Sequence, residues 1–192
     1  MGGVGPRARH DLGPASSGEC RPAMPQQALE IRPARPGEAP GLTRLCLSAK
    51  AHWGYDPAFM TAAAQMIRIR EAEIRAGRVL VATDDSADGL GGLLGVAAIA
   101  RMPEPGCFDL SHLFVRPDCF GRGIGRALLR AAADLARIKG ATRLMILSDP
   151  NAAGFYARLG AQPRGQAPSD AIPGRMLPLY EFPIGRPVAA PD

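Results

Sequence analysis

The sequence predicts a single domain of the α/β (α+β) class, in which strands and helices share one core. Short apolar runs typical of buried strands alternate along the chain with stretches whose apolar residues recur at helical spacing. A length of 192 residues suits one domain with a sizeable core. An apolar content of 46% and a charged content of 21% are those of an ordinary globular protein.

The most informative segment is a strand, a glycine-rich loop and a helix at residues 107–140. Residues 107–115 are rich in aliphatic and aromatic side chains, and Pro117 after them predicts that the strand ends there. Glycine then stands at every second position, at Gly121, Gly123 and Gly125. A glycine loop that leads into a helix presents unpaired N–H groups and the positive end of the helix dipole. It therefore predicts an anion site, although neither the dinucleotide fingerprint nor a P-loop fits the spacing.

The helix after this loop is predicted to be amphipathic and to end at Gly140. Its apolar side is predicted to hold Ile124, Leu128, Ala131, Leu135 and Ile138. Further strands are predicted at 29–33, 79–83, 93–99, 143–147, 162–165 and 176–182. Further helices are predicted at 38–52, 57–77 and 151–159, and Asp56 and Asp149 are expected to cap the last two.

Residues 1–27 and 184–192 are predicted to be tails on either side of one domain at residues 28–183. The first tail is dominated by Gly, Pro, Ala and Arg and carries hardly any aliphatic residue. Such a segment cannot bury enough apolar surface to offset its ordering entropy. It also lacks the continuous apolar stretch of a secretory signal, and Met24 stands as an alternative start.

The charge and cysteine content argue against several classes of protein. The net charge of +5 comes from dispersed arginines, so it fits a polyanionic cofactor at least as well as nucleic acid. No apolar run approaches the roughly 18 residues that a membrane span needs. The four cysteines lie far apart with no C-x-x-C, which indicates neither a zinc site nor a disulfide framework. A cytoplasmic location is therefore expected.

A short aromatic segment and one turn are candidate substrate contacts. The segment links the first two predicted helices and holds His52, Tyr55 and the only tryptophan, Trp53. It either packs the two helices together or faces a substrate, since polar-tipped aromatic residues in loops often contact ligands. The turn carries Arg175 after a Pro-Gly pair. Trp53 and Arg175 are expected on the acceptor side of the site, away from a cofactor.

Two sequence blocks together resemble the GNAT superfamily of acyl-CoA N-acyltransferases. The block HLFVRPDCFGRGIGRALL is similar to the family's pyrophosphate-binding loop, Arg/Gln-x-x-Gly-x-Gly/Ala, with Phe120 in place of the Arg or Gln. The block SDPNAAGFYARLGAQPRG resembles the family's DPxAxxFYxxxGA segment. The resemblance covers roughly residues 29–182 and implies a mixed, mostly antiparallel central sheet with helices on both faces. It also implies that acyl-CoA lies where the strands ending at Val115 and near Ser148 splay apart.

The resemblance implies an N-acetyltransferase that moves an acetyl group from acetyl-CoA to an amine by direct transfer in a ternary complex, without a metal. The implied cofactor-binding residues are Leu113, Phe114, Val115, Phe120, Gly121, Arg122, Gly123, Ile124, Gly125, Arg126 and Asn151. Tyr156 matches the position of the family's general acid, which would protonate the departing thiolate.

Two groups on the motif strand are candidate bases for the acceptor amine. Alternation along the strand predicts that one face holds Phe108, Leu110, His112 and Phe114. His112 is the group that titrates near neutrality beside the expected thioester. Asp109, predicted on the opposite face, is the alternative and would act through a water.

Two other function classes remain open. One is a non-catalytic acyl-CoA-binding sensor domain. The other is a nucleic-acid or phosphate-binding module, which would need aromatic and basic residues on one sheet face that the aliphatic strands do not offer. The expected partner is a small-molecule or peptide amine, with no nucleic acid and no membrane, and a homodimer is left open.

Overall fold

The computed structural model describes residues 29–84 and 92–184. The strands are β1 Glu30–Pro33, β2 Val79–Thr83, β3 Leu93–Arg101, β4 Cys107–Val115, β5 Arg143–Leu147, β6 Gln162–Pro168 and β7 Met176–Pro183. The helices are α1 Ala39–Ala51, α2 Pro57–Met66, α3 Glu71–Arg75, α4 Ile124–Ile138 and α5 Ala153–Arg158. The predicted N-terminal tail, and residues 185–192 of the predicted C-terminal tail, lie outside the described residues.

The described strands form one seven-stranded sheet in the order β1-β2-β3-β4-β5-β7-β6. The pair β4–β5 is parallel and the other neighbouring pairs are antiparallel. The mixed, mostly antiparallel sheet implied by the resemblance is therefore confirmed. No helix in the described ranges is both long enough and apolar enough to span a bilayer.

Helices cover both faces of the sheet because alternate residues of its central strands point to opposite sides. Leu80 and Ala82 of β2 pack in one core cluster with the buried side of α4. Val79 and Val81 of the same strand pack with α1 in a second cluster. Burial on both faces explains why β2 and β3 appear in the sequence as continuous apolar runs. Ile184, assigned to the C-terminal tail from the sequence, is buried in the first cluster.

The parallel pair β4–β5 separates part-way along its length. Its register runs from Cys107 opposite Arg143 to Asp109 opposite Met145, and no pairing continues beyond that point. Beyond that point the residues of β4 from His112 to Val115 pair with β3 on one side only. The implied splay of these two strands is therefore present, and it leaves one edge of β4 open to a gap.

A bulge in β4 changes the face on which His112 lies. Along β3 the register advances two residues, from Ala98 to Ala100, while β4 advances three, between Asp109 and His112. The extra residue inverts the alternation of side chains beyond it.

The prediction that His112 shares a face with Phe108 and Leu110 is therefore wrong. Phe108 and Leu110 belong to the cluster under α4, whereas Phe114 packs against the cluster under α1. His112, two residues before Phe114, shares the face of Phe114, with the ring centroids 6.2 Å apart.

The helix predicted at 57–77 is wrong in its second half, because α2 ends at Met66 and α3 begins at Glu71. The Ile69 backbone N–H donates to Thr43 Oγ1 of α1 at 3.1 Å, and the Ile69 side chain is buried in the core under α1. This tertiary contact replaces a helical hydrogen bond. The predicted N-cap is confirmed, since Asp56 Oδ1 accepts from the Phe59 N–H at 2.9 Å.

The predicted apolar side of α4 is partly wrong, because Ile138 is 76% exposed. The buried residues of α4 are Ile124, Leu128, Leu129, Ala132, Ala133 and Ala136. Ile138 lies two residues after Ala136, which turns it about 200° away from that buried position. The predicted end of the helix is confirmed, since Gly140 follows the last turn with φ +91°.

Candidate active site

A cavity of about 900 Å³ lies in the gap between β4 and β5. Its walls come from the second half of β4, the start of α4, α5, the ends of α1 and α2, and the β6–β7 connection. The predicted site residues that line it are Trp53, Leu113, Phe114, Val115, Phe120, Gly121, Gly123, Ile124, Gly125, Arg126, Asn151, Tyr156 and Arg175. The predicted site residues outside this lining are His52, Tyr55, His112 and Arg122.

The glycine loop has a backbone that only glycine adopts without strain. Gly121 and Gly123 both have φ of +80°, in the left-handed region. A Cβ added at either position would meet nothing within 4 Å, so the space beside this backbone is open. Gly123 is also the N-cap of α4, where backbone N–H groups and the helix dipole favour an anion. The loop therefore has both the shape and the polarity to bind a phosphate group.

Gly125 is needed for packing as well as for access to the cavity. A Cβ there would come within 3.2 Å of the Phe155 ring, closer than that ring tolerates without moving. The absence of a side chain thus lets α5 approach the first turn of α4. This contact brings Phe155, and Tyr156 beside it, next to the glycine loop.

The two arginines of the loop have different environments. Arg122 Nη1 lies 3.4 Å from Cys119 Sγ, and Arg122 Nη2 lies 3.8 Å from Asp84 at the end of β2. These contacts hold the Arg122 side chain away from the cavity. Arg126, in the first turn of α4, is exposed and lines the cavity. Of the two side chains, only that of Arg126 faces the space beside the loop.

Phe120 connects the glycine loop to the α1–α2 connection. Its ring stacks on Trp53, with centroids 6.2 Å apart and an interplanar angle of 25°. His52 approaches Phe120 edge-on, with ring centroids 5.2 Å apart. Trp53 therefore lies beside the predicted cofactor loop, whereas the sequence predicted it on the acceptor side. The Phe120 side chain cannot hydrogen-bond a phosphate, and its ring instead packs against Trp53 and His52.

Tyr156 is buried on α5, and it lines the cavity. Its ring packs edge-to-face on Phe155, with centroids 5.1 Å apart, and lies 6.3 Å from the ring of Tyr180. Burial raises the pKa of Tyr156 well above its ordinary value, and the charges of Asp109 and Asp149 raise it further. The hydroxyl is therefore protonated at neutral pH and is available as a proton donor.

Asp149 is the centre of a polar cluster in the wall of the cavity. It forms an ion pair with Lys50, accepts from the Tyr55 hydroxyl at 2.8 Å and accepts from the Asn151 N–H at 2.9 Å. Burial alone would raise the pKa of Asp149, but hydrogen bonds from Lys50 and Asn151 outweigh it and lower the pKa. Arg175 Nη2 donates to the Tyr55 hydroxyl at 3.0 Å and lies 4.0 Å from Asp149. We call Lys50, Tyr55, Asp149 and Arg175 the Asp149 cluster.

Two aromatic rings support the cations of the Asp149 cluster. Tyr55 and Phe59 stack with centroids 4.0 Å apart and an interplanar angle of 17°. The Arg175 guanidinium lies over Phe59 at 4.7 Å, and Lys50 Nζ lies over Tyr55 at 4.9 Å. Sequence reasoning missed Lys50 and Phe59 and interpreted Asp149 only as a helix cap. The local sequence contains no mark of the cluster, because Lys50 and Asp149 are 99 positions apart.

Neither candidate base lines the cavity. His112 is buried, its Nδ1 has no hydrogen-bond partner, and burial lowers its pKa. Burial raises the pKa of Asp109 to about 6, and the charge of Asp170 adds to the effect. Neither group therefore contacts the cavity directly.

Comparison with known protein families identifies the domain. The model of the acetyltransferase (GNAT) domain matches residues 75–160, which include the glycine loop and Tyr156. The match assigns residues 75–160 to a GNAT acetyltransferase domain. The predictions of the superfamily and of an acyltransferase are therefore confirmed.

Solved structures of GNAT proteins share the fold. A GCN5-related N-acetyltransferase from Rhodopseudomonas palustris is 25% identical with a TM-score of 0.61, covering 84% of this chain and 98% of that chain. A GNAT family acetyltransferase from Brucella melitensis in complex with acetyl-CoA is 22% identical with a TM-score of 0.58, covering 86% and 94%.

N-acetylglutamate synthase from Neisseria gonorrhoeae, complexed with coenzyme A and N-acetyl-glutamate, is 24% identical with a TM-score of 0.60. The match covers 83% of this chain but only 36% of that longer protein. No curated protein matches the chain. The predicted fold class is confirmed by these structures.

Proposed function

We propose that the domain transfers an acetyl group from acetyl-CoA to an amine, with both substrates bound in the cavity at once. The observation that carries this proposal is that the glycine loop, Tyr156 and Asp149 line one cavity. An anion site, an open strand edge and a protonated hydroxyl thus share one space. The complex of the Brucella melitensis protein with acetyl-CoA supports the choice of donor.

The residues around the glycine loop fit the pyrophosphate of acetyl-CoA. Backbone N–H groups from Gly121 to Arg126 would bind it, helped by the dipole of α4 and by the charge of Arg126. The open space beside Gly121 and Gly123 leaves room for the phosphate oxygens. Because the Arg122 side chain is turned away, only its backbone is assigned to this site, and Phe120 contributes packing.

The unpaired edge of β4 fits the extended arm of the donor. Leu113, Phe114 and Val115 lie beyond the point at which β4 and β5 separate, and all three line the cavity. Their backbone groups on that edge can hydrogen-bond an amide-containing arm as a further strand would. Asn151 lines the opposite wall, where its amide donates to the Tyr55 hydroxyl at 3.3 Å.

Tyr156 is assigned as the general acid of the transfer. Acetyl-CoA supplies the thioester, and the thiolate that departs needs a proton. The Tyr156 side chain lines the cavity and its hydroxyl is protonated, so it can donate that proton. Alignment of the two substrates in one cavity can contribute roughly 7–11 kcal/mol to lowering the barrier.

The base that removes the proton from the acceptor amine is not in direct contact with the cavity. His112 stays the predicted base and Asp109 its alternative, and each would need a relayed water because neither lines the cavity. If His112 accepts this proton, His112→Gln flattens the rising limb of the pH–rate profile, which lies below the ordinary histidine pKa because burial lowers the pKa of His112. An unaltered limb in that variant transfers the role to Asp109.

The proposal is tested by release of free CoA thiol from acetyl-CoA in the presence of amino acids, peptides, polyamines and aminoglycosides. Acetyl transfer predicts amine-dependent thiol release and an acetylated amine detected by mass. Binding of acetyl-CoA without release for any amine would support the alternative, a sensor domain. No binding of acetyl-CoA would contradict both.

A further inference from the structure

We propose that the Asp149 cluster binds a carboxylate of the acceptor, so that the acceptor is an amino acid or another small amine that carries a carboxylate. This inference rests on the proposed acetyl transfer and adds the substrate class to it. It is carried by the charges on the cavity wall, by the geometry of Arg175 and by the proximity of the cluster to Tyr156.

The cavity wall attracts anions rather than cations. Its charged residues, within the described parts of the chain, are Lys50, Arg126, Asp149, Arg158 and Arg175. Asp149 is thus the only acidic residue in that lining, and Lys50, Tyr55 and a backbone N–H already compensate its charge. A polycationic acceptor such as a polyamine would find no unpaired carboxylate on this wall.

Arg175 has the geometry to bind a carboxylate. Its guanidinium lies over Phe59 and Tyr55, at 4.7 Å and 5.2 Å from the ring centroids. Its Nη2 donates to the Tyr55 hydroxyl, while Nη1 and Nε donate to no group among the described residues. A guanidinium whose plane is held by aromatic rings, with donors left on its edge, suits a carboxylate with two parallel hydrogen bonds.

The same charges favour the reactive form of the amine. Two cations, Lys50 and Arg175, face one carboxylate in the cluster, so a bound ammonium group is disfavoured relative to the neutral amine. Asp149 caps the short turn Pro150–Ala152, which leads directly into α5, and α5 carries the proposed proton donor Tyr156. The cluster and Tyr156 therefore lie on one short segment of the cavity wall. The acceptor must therefore span a short distance between its carboxylate and its amine, as an amino acid does.

The test compares matched acceptors. Each amino acid is assayed with its carboxamide, which keeps the amine and removes the negative charge, and with the decarboxylated amine. The expected kcat/KM for the carboxylate member exceeds that of the other two by roughly tenfold to a hundredfold, the range for charge-assisted hydrogen bonds. Arg175→Gln is expected to abolish this preference while the acetyl-CoA thermal shift stays as in the wild type. Arg175→Lys, which keeps the charge but not the paired donors, is expected to retain part of the preference.

Arg164→Gln is the control variant, because Arg164 pairs with Glu181 at 3.0 Å and does not line the cavity. It should keep the full preference for carboxylates. Faster transfer to decarboxylated amines, or an intact preference in Arg175→Gln, would overturn the inference and leave acetyl transfer standing. Transfer to no amino acid by a protein that binds acetyl-CoA would also overturn it. Absence of acetyl-CoA binding in the wild type would instead remove the proposed function.

Discussion

Trp53 stacks on Phe120, with ring centroids 6.2 Å apart and an interplanar angle of 25°. The contact joins the connection after α1 to the glycine loop before α4, two segments 67 positions apart (120 minus 53) in the sequence. Trp53 is 41% exposed, lines the cavity and is the only tryptophan in the chain. Its fluorescence is therefore sensitive to changes at the glycine loop, through the contact with Phe120.

Acetyl-CoA binding is expected to change the Trp53 emission, because phosphate binding at the loop alters the surroundings of its stacking partner. Phe120→Ala removes a ring contact of roughly 0.5–1.5 kcal/mol, so it should shift the unliganded emission towards that of exposed tryptophan. The backbone N–H groups remain, so acetyl-CoA affinity should weaken by less than roughly tenfold. Phe182→Leu is the control and should leave the emission unchanged, because Phe182 packs against the core under α4 and does not line the cavity. A Trp53 emission that changes neither on addition of acetyl-CoA nor in Phe120→Ala would argue against the stacking of Trp53 on Phe120.

Tyr156→Phe is expected to lower turnover by roughly 10²–10⁴-fold, the range for loss of a general acid. The ring and its packing remain, so acetyl-CoA affinity and melting temperature should change little. Tyr180→Phe is the control, since Tyr180 lies 6.3 Å from Tyr156 and does not line the cavity. Full turnover in Tyr156→Phe would mean that another group protonates the thiolate or that it leaves unaided.

The strands and the glycine loop could be predicted from the sequence because their requirements are local. Gly121 and Gly123 need positive φ angles that other residues avoid, and β2 is apolar throughout because both of its faces are buried. Tyr156 was found by the resemblance of its segment to a family pattern. The structure adds its burial and its position on the cavity.

The predictions that were wrong or missing concern features that leave no pattern in the neighbouring sequence. One extra residue in β4 moves His112 to the opposite face from Leu110, while the apolar pattern looks uninterrupted. The break before Arg70 depends on a hydrogen bond from Ile69 to Thr43 in another helix. One hydrogen bond of the Asp149 cluster joins Tyr55 to Arg175, 120 positions apart, so no spacing could indicate it.

Asp109→Asn is expected to stabilise the protein above neutral pH. The pKa of Asp109 is about 6 in the folded protein against an ordinary value of 3.8. Between these two values the unfolded chain loses its proton first, so the free energy of unfolding falls as the pH rises. The full difference corresponds to about 3 kcal/mol at most, at 1.36 kcal/mol per pKa unit.

Melting curves at about pH 4 and about pH 8 check this prediction by linkage. The variant should melt above the wild type at the higher pH and close to it at the lower pH. An identical difference at both values would show that Asp109 ionises in the folded state as easily as in the unfolded chain. The same variant, assayed for turnover, tests whether Asp109 serves as the base.

The most direct test of the account is the melting temperature with and without acetyl-CoA in the wild type, Gly123→Asp and Gly140→Asp. Both glycines have positive φ and open space beside them, so both variants carry similar backbone strain, but only Gly123 lines the cavity. A ligand at a hundred times its Kd stabilises the folded state by about 2.7 kcal/mol. We expect acetyl-CoA to raise the melting temperature of the wild type and of Gly140→Asp. It should not raise that of Gly123→Asp, where a carboxylate would repel the pyrophosphate. An equal shift in Gly123→Asp would contradict the binding of acetyl-CoA at the glycine loop.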